Sequence, residues 1–153
     1  MSDPSGPRPL INHIAISVDA AVLDAAGRAD LVRFFGEVFG WAEGDNSTEA
    51  GNPLILYTGR SQQYVYLLPA ADDFLRAPLL DHFGLEVSSL EELSAIVERA
   101  EAYRLRDDRV SVSGIGEMVT HGTASDFTLT NAYIAFLLPL QIELQYIAER
   151  VTT

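Results

Sequence analysis

The stretch Asp81-His82-Phe83-Gly84-Leu85-Glu86-Val87 decides how this chain is interpreted. Its residues alternate between an apolar series, Phe83, Leu85 and Val87, and a second series that a histidine opens. Successive side chains of a strand point to opposite faces of a sheet. The alternation therefore predicts a strand with one face for packing and one face headed by His82.

The same pattern occurs earlier in the chain, in Asn12-His13-Ile14-Ala15-Ile16-Ser17-Val18. A histidine again opens one series, and the other series is again apolar. Two copies of one pattern at similar places in two halves indicate an internal duplication.

A helix pattern follows each of these strands. In the first half, apolar residues recur at helical spacing from about 28 to 39, with Asp30 near the start and Gly40 placed for a left-handed C-cap. In the second half, Ser89 and Glu92 form a capping box, in which the Ser89 hydroxyl accepts from the N–H of Glu92. That helix is expected to run to about Tyr103.

Short apolar runs after each helix predict three further strands in each half. In the first half these are a strand or turn that begins at Trp41, then 54–57 and 62–68; in the second half they are 110–112 with 117–120, then 128–138 and 141–147. The fold class is therefore α+β, with two βαβββ modules that pair into a curved, partly open β-barrel with a cleft. We expect a loose arm over 1–9 and a single domain over 10–153, divided into a first module (10–68), a linker (69–79) and a second module (80–148).

Composition limits the possible functions. The 153 residues are 48% hydrophobic, enough for one domain with a core, and the lack of cysteine excludes disulfides and protein thiol chemistry. The start of the chain has no apolar signal core, and no run is long enough for a membrane span, so a cytoplasmic location is expected. A net charge of -12 argues against nucleic acid or an anionic membrane as partner. It fits either solubility or attraction of a cationic ligand.

Three residues form a candidate metal site. His13 and His82 occupy matching places in the two halves, and Glu143 lies between apolar residues in Ile142-Glu143-Leu144-Gln145-Tyr146. Two imidazoles and one carboxylate suit Fe(II), Mn(II) or Zn(II), and open positions on the ion let it act as a Lewis acid. The alternative is a metal-free cleft in which these side chains only form hydrogen bonds.

The order of these motifs, together with Phe34-Phe-Gly-Glu-Val-Phe-Gly-Trp41, resembles the vicinal oxygen chelate superfamily. That superfamily includes glyoxalase I, bleomycin-resistance proteins, extradiol dioxygenases, methylmalonyl-CoA epimerase and fosfomycin-resistance proteins. The resemblance implies a glyoxalase-like fold and a homodimer. It also implies a divalent ion (Fe, Mn, Zn, Ni or Co) held by His13, His82 and Glu143. Tyr66 stands where glyoxalase I and the epimerase carry Glu or Gln, so a fourth protein ligand is not expected.

The resemblance also suggests residues that meet the substrate. Extradiol dioxygenases keep a His and a Tyr upstream of the ligand Glu, which corresponds here to His121 as acid–base and Tyr133 as hydrogen-bond donor. The usual Asp-Pro-x-Gly turn before that Glu is absent, which weakens the dioxygenase assignment. The fosfomycin assignment is weaker still, because a phosphonate needs a basic pocket and the chain has 10 Lys and Arg residues. Substrate contacts are expected from Trp41, Tyr66 and Gln145.

Two functions therefore remain open at the level of sequence. The first is a metal-dependent enzyme that acts on a small oxygenated substrate, in a dioxygenase-like or a lyase- or isomerase-like reaction. The second is a metal-free protein that binds a small molecule such as a drug or antibiotic, as bleomycin-resistance proteins do. The matched histidines and Glu143 favour the first function, which is the one we expect. The acidity, the aromatic residues of the first half and the missing fourth ligand are the features that fit the second.

Overall fold

A computed structural model describes residues 9–45, 49–59, 62–121 and 126–150. For residues 149 and 150 it describes the backbone only. The predicted arm therefore lies outside the described residues except for Pro9. The chain forms the following elements in order: β1 (His13–Asp19), a 3₁₀ helix (Ala20–Leu23), α1 (Ala25–Phe39), β2 (Ala42–Glu43), β3 (Leu54–Tyr57), β4 (Tyr64–Ala70), β5 (His82–Glu86), α2 (Leu90–Arg104), β6 (Ser111–Val112), β7 (Gly116–His121), β8 (Asp126–Ala135) and β9 (Gln141–Arg150).

The strands form two mixed sheets, one in each half. The first has the order β1-β4-β3-β2, and the second has the order β5-β9-β8-β6 with β7 also paired to β8. In both sheets the first strand lies parallel to the last, so that His13 is opposite Tyr64 and Gly84 is opposite Glu143. Two mixed sheets, two helices and no closed barrel among the described strands confirm the predicted α+β class.

Side chains cap the N-termini of both helices. Helix α1 begins earlier than predicted, because Asp24 rather than Asp30 caps it and accepts from the N–H of Gly27. Gly40 ends α1 in the left-handed conformation, as predicted. At α2 the Ser89 hydroxyl accepts from the N–H of Glu92, whereas the Glu92 carboxylate accepts from Ser88.

The halves pack against each other through their helices and the end of β8. Phe34 of α1 is fully buried and packs edge-on against Tyr103 of α2, and its ring also lies 4.4 Å from that of Phe136 after β8. Arg99 of α2 donates to the carbonyl of Val38 near the end of α1. Among the strands that the structure describes, hydrogen bonds occur only within each sheet, so these parts of the modules share a core but no sheet.

Each sheet keeps one face away from this core. In β4 the buried side chains are Val65 and Leu67, while Tyr64 and Tyr66 alternate with them on the opposite face. In β8 the alternate residues from Thr128 to Ile134 are buried. The opposite faces, here called the open faces, carry the candidate functional residues.

No helix in the described part of the chain combines the length and the apolar character that crossing a membrane requires.

Candidate functional site

Glu143 is the centre of a polar cluster on the open face of the second sheet. It lies on β9 between Ile142 and Leu144, which point into the core, and it pairs with Tyr133 on β8. Only 4% of its surface is exposed. A carboxylate buried this far needs hydrogen-bond donors or a cation.

Four side chains supply that compensation. Asn131 Nδ2 and Tyr133 Oη donate to Glu143 Oε1 over 2.6 and 2.9 Å. Gln145 Nε2 donates to Oε2 over 2.7 Å, and His82 Nε2 lies 3.1 Å from the same oxygen. A carboxylate has about four lone-pair sites, so these four contacts fill its capacity.

The contacts of His82 fix which of its ring nitrogens carries a proton. Its Nδ1 lies 2.8 Å from the carbonyl oxygen of Leu80. A carbonyl can only accept, so Nδ1 carries a proton and donates it. In an imidazolium, Nε2 also carries a proton and can donate it to the Glu143 carboxylate. In the neutral ring, Nε2 instead directs its lone pair at the carboxylate. Two lone pairs in that position require a cation between them.

The cluster also shifts the proton affinities of its members. Burial raises the pKa of the Glu143 carboxyl, but the hydrogen bonds from Asn131, Tyr133 and Gln145, with the charge of His82, outweigh burial and lower the pKa overall. The hydrogen bond to Glu143, followed by burial, raises the pKa of the Tyr133 hydroxyl. Glu143 is thus held ionised and Tyr133 protonated.

His13 lies on the other sheet, apart from His82 and Glu143. Its ring stacks on Tyr64, with centroids 4.8 Å apart, and its Nδ1 lies 2.8 Å from Asn12 Oδ1. Among the described residues no three His, Cys, Asp or Glu side chains come together in a way that would hold a metal ion. One chain therefore brings two of the three predicted ligands together, and the three-residue set remains a prediction.

The predicted catalytic pair is also divided. Tyr133 contacts Glu143 directly and meets the ring of His82 edge-on at 5.3 Å. His121 is highly exposed at the end of β7, where it pairs with Asp126 at 3.0 Å. Asp126 precedes Tyr133 by seven residues on β8, which is roughly 23 Å along an extended strand. Within one chain His121 lies far from the cluster.

The predicted substrate contacts fall in three different places. Gln145 belongs to the cluster. Tyr66 lies on the open face of the first sheet, opposite Ala15 and Ile55. Trp41 is 7% exposed and stacks on Phe35 with ring centroids 4.9 Å apart.

A cavity of about 500 Å³ lies between the two modules. Trp41, Tyr64 and His13 line one side of it, and Phe83, Gly84 and Glu86 of β5 line another. Neither His82 nor Glu143 lines this cavity, so it is separate from the polar cluster.

Asn131 is a member of the cluster that sequence reasoning did not identify. The alternation along β8 places it on the same face as Tyr133, which was a usable signal. Its contact with Glu143, however, runs diagonally across the strands, since its register partner on β9 is Gln145. Only the register of β8 and β9 reveals that contact.

Comparison of the fold with solved structures finds clear matches. Lactoylglutathione lyase from Agrobacterium tumefaciens is 18% identical with a TM-score of 0.56, and the match covers 92% of this chain and 96% of that one. The fosfomycin resistance protein FosX from Listeria monocytogenes, solved with Mn(II) and sulfate, is 15% identical with a TM-score of 0.57 over 93% and 90% of the two chains. A virulence protein from Salmonella typhimurium is 18% identical with a TM-score of 0.52 over 92% and 98%. No protein-family model and no curated protein matches the chain.

The chain therefore has the fold of the vicinal oxygen chelate superfamily, which includes glyoxalases and fosfomycin resistance proteins. This confirms, at the level of the fold, the resemblance that the order of the sequence motifs indicates.

Proposed function

We propose that this protein is a divalent-metal-dependent enzyme that acts on a small oxygenated substrate, with His82 and Glu143 as two ligands of the ion. The observation that carries the proposal is the hydrogen bond from His82 Nδ1 to the Leu80 carbonyl, which directs Nε2 at a buried carboxylate. Histidines that bind metals commonly donate their other ring N–H to a backbone carbonyl in this way.

The spacing of the two ligand atoms fits an ion. Bonds of about 2.1 Å that meet at roughly 90° place two ligand atoms about 3.0 Å apart. The distance from His82 Nε2 to Glu143 Oε2 is 3.1 Å. An imidazole with a carboxylate suits Fe(II), Mn(II), Zn(II), Ni(II) or Co(II).

We further propose that a second copy of the chain supplies His13 as the third ligand, in a homodimer. Its Nδ1 is engaged with Asn12 Oδ1, which leaves Nε2 available on the open face of the first sheet. Exposed aliphatic side chains just before each histidine support a contact with another chain: Leu10 and Ile11 are each 86% exposed, Leu79 is 82% exposed and Leu80 is 80% exposed.

The ion would polarise a substrate oxygen as a Lewis acid. Tyr133 donates its single proton to Glu143 Oε1, so its oxygen is placed to accept a hydrogen bond from a substrate that lies beside His82. Gln145 and Asn131 hold the carboxylate in place. This arrangement suits a dioxygenase-like or a lyase- or isomerase-like reaction, and neither requires His121 of the same chain.

Titration of chelator-treated protein with each of the five ions, followed by calorimetry, tests the metal site. Wild type should bind at least one ion, and His82→Ala and Glu143→Gln should each weaken binding by at least tenfold. His121→Ala changes an exposed histidine outside the cluster and serves as the control, with wild-type affinity expected. If wild type binds none of the ions, the enzyme proposal fails and the metal-free binding protein becomes the better explanation.

Mixing two inactive variants tests the shared site. If each site combines His13 of one copy with His82 of the other, His13→Ala and His82→Ala homodimers both lack intact sites. A mixed dimer restores one site of two, so random mixing of equal amounts should recover about a quarter of the wild-type binding capacity. No recovery, or a monomer in sedimentation analysis, would contradict the homodimer.

A further inference from the structure

Asn131 contacts the candidate ligand Glu143, and Gly116 lies opposite Asn131 on the neighbouring strand. Asn131 lies in the middle of β8, with Gly116 of β7 opposite it on one side and Gln145 of β9 on the other. Its amide nitrogen makes the shortest contact in the cluster, 2.6 Å to Glu143 Oε1. A donor at this distance from a carboxylate makes a strong, charge-assisted hydrogen bond.

The amide of Asn131 has only one favourable orientation. With Nδ2 on Glu143, its Oδ1 faces Gly116, and a Cβ atom built on that glycine would lie 3.1 Å from Oδ1. A flipped amide would instead place an oxygen against the carboxylate oxygen and remove the hydrogen bond. The missing side chain at Gly116 therefore leaves room for the orientation that Glu143 requires.

The local form of the sheet edge places this glycine. Between Val112 and Gly116 the edge has three residues, 113–115, opposite only two on β8. Such a bulge separates β6 from β7 and re-aims the strand that follows. Ser113 within it holds Tyr133 through two hydrogen bonds, since Ser113 N donates to the Tyr133 carbonyl and Tyr133 N donates to Ser113 Oγ.

We propose that Asn131 is a positioning residue. The space at Gly116 allows its amide to hold Glu143 Oε1, and Glu143 Oε2 therefore stays turned toward His82. The role of this orientation in metal binding rests on the proposed function. The orientation itself does not, because it is a property of the metal-free protein.

The test compares Gly116→Ala with Gly114→Ala. Gly114 lies in the same edge segment, but a Cβ atom there meets nothing within 4 Å, so it is a matched control. In ¹H–¹⁵N spectra of metal-free protein, one side-chain amide proton of Asn131 should be shifted downfield by the carboxylate. Asn131→Ala identifies the signal by its loss. The shift should decrease or disappear in Gly116→Ala and persist in Gly114→Ala.

Metal affinity gives the second readout. Gly116→Ala and Asn131→Ala should each raise the Kd for the ion that wild type binds by about tenfold, as is typical when a side chain that orients a metal ligand is lost. Gly114→Ala should leave the Kd unchanged. An unshifted Asn131 amide in wild type, or the same signal in Gly116→Ala as in wild type, would overturn the proposal. So would wild-type affinity in Asn131→Ala.

The two proposals can fail separately. If wild type binds no ion but the amide signal responds to Gly116→Ala alone, the positioning stands and the metal-dependent function falls. If wild type binds an ion and both variants bind it equally well, the function stands and the positioning falls.

Discussion

Replacing Glu143 by Gln or by Leu should have very different effects on the stability of the metal-free protein. Glutamine keeps one oxygen for the donors Asn131 and Tyr133, which both contact Oε1 of the native carboxylate. Its amide nitrogen then faces His82 Nε2, which can accept because Nδ1 carries the proton of the neutral ring. Gln145 donates to Oε2 in the wild type, and it can turn its amide so that its oxygen accepts the second N–H of the glutamine. With that turn every group keeps a partner, so Glu143→Gln should change the free energy of unfolding by no more than about 1 kcal/mol.

Leucine removes the acceptor altogether. The hydrogen bonds from Asn131, Tyr133 and Gln145 to the carboxylate would all be lost. An unsatisfied buried donor costs about 1–3 kcal/mol, and these three are half-buried, so about 1 kcal/mol each is appropriate. A loss of about 3 kcal/mol lowers Tm by roughly 6–12 °C in a domain of this size.

Urea unfolding and calorimetry of chelator-treated protein measure both variants. The reasoning is refuted if Glu143→Gln is as unstable as Glu143→Leu, because the negative charge rather than the matched donors would then stabilise the cluster. It is also refuted if Glu143→Leu is as stable as wild type, because the donors would then lose nothing.

Three more predictions concern acid sensitivity and packing. Folding lowers the pKa of Glu143, so the contribution of this carboxylate to stability is complete above the ordinary glutamate pKa of about 4.3 and is lost as pH falls through the folded-state pKa. Wild type should therefore lose more free energy of unfolding than Glu143→Gln between about pH 5 and pH 3. Parallel curves of unfolding free energy against pH for the two proteins would contradict this. Gly27→Ala places a Cβ atom 2.3 Å from the carbonyl oxygen of Val22 and should cost about 1–3 kcal/mol. The control Gly36→Ala has its nearest contact at 3.6 Å and should gain up to about 1 kcal/mol from helix propensity, so similar urea midpoints for the two would argue against this packing. Phe34→Ala removes a fully buried ring between the modules and should cost about 3–5 kcal/mol in urea unfolding, whereas a cost under about 1 kcal/mol would show that the modules do not share this core.

The sequence predicted those features that depend on local pattern. Alternation placed His82 at the head of an open strand face, and it separated Glu143 from its apolar neighbours. Gly40 and Ser89 were recognisable as caps because capping chemistry involves residues only a few positions apart. Each of these features can be inferred from the residues of a single helix or strand.

Features that depend on the relation between elements could not be predicted. The role of Asn131 follows from the register of β8 against β9, which one strand alone does not contain. The separation of His13 from Glu143 follows from modules that meet through helices rather than through strands. Asp24 replaced Asp30 as the cap because the 3₁₀ helix before α1 extends the helical segment toward the N-terminus.

The packing of the modules through α1 and α2 has a consequence for how this protein can change. Residues that hold the halves together, such as Phe34 and Arg99, lie on the opposite side of each sheet from the polar cluster. Substitutions among the outward-facing tyrosines can therefore change the open face of the first sheet without disturbing the shared interior or the donors around Glu143. A library confined to those tyrosines should retain a high proportion of folded members.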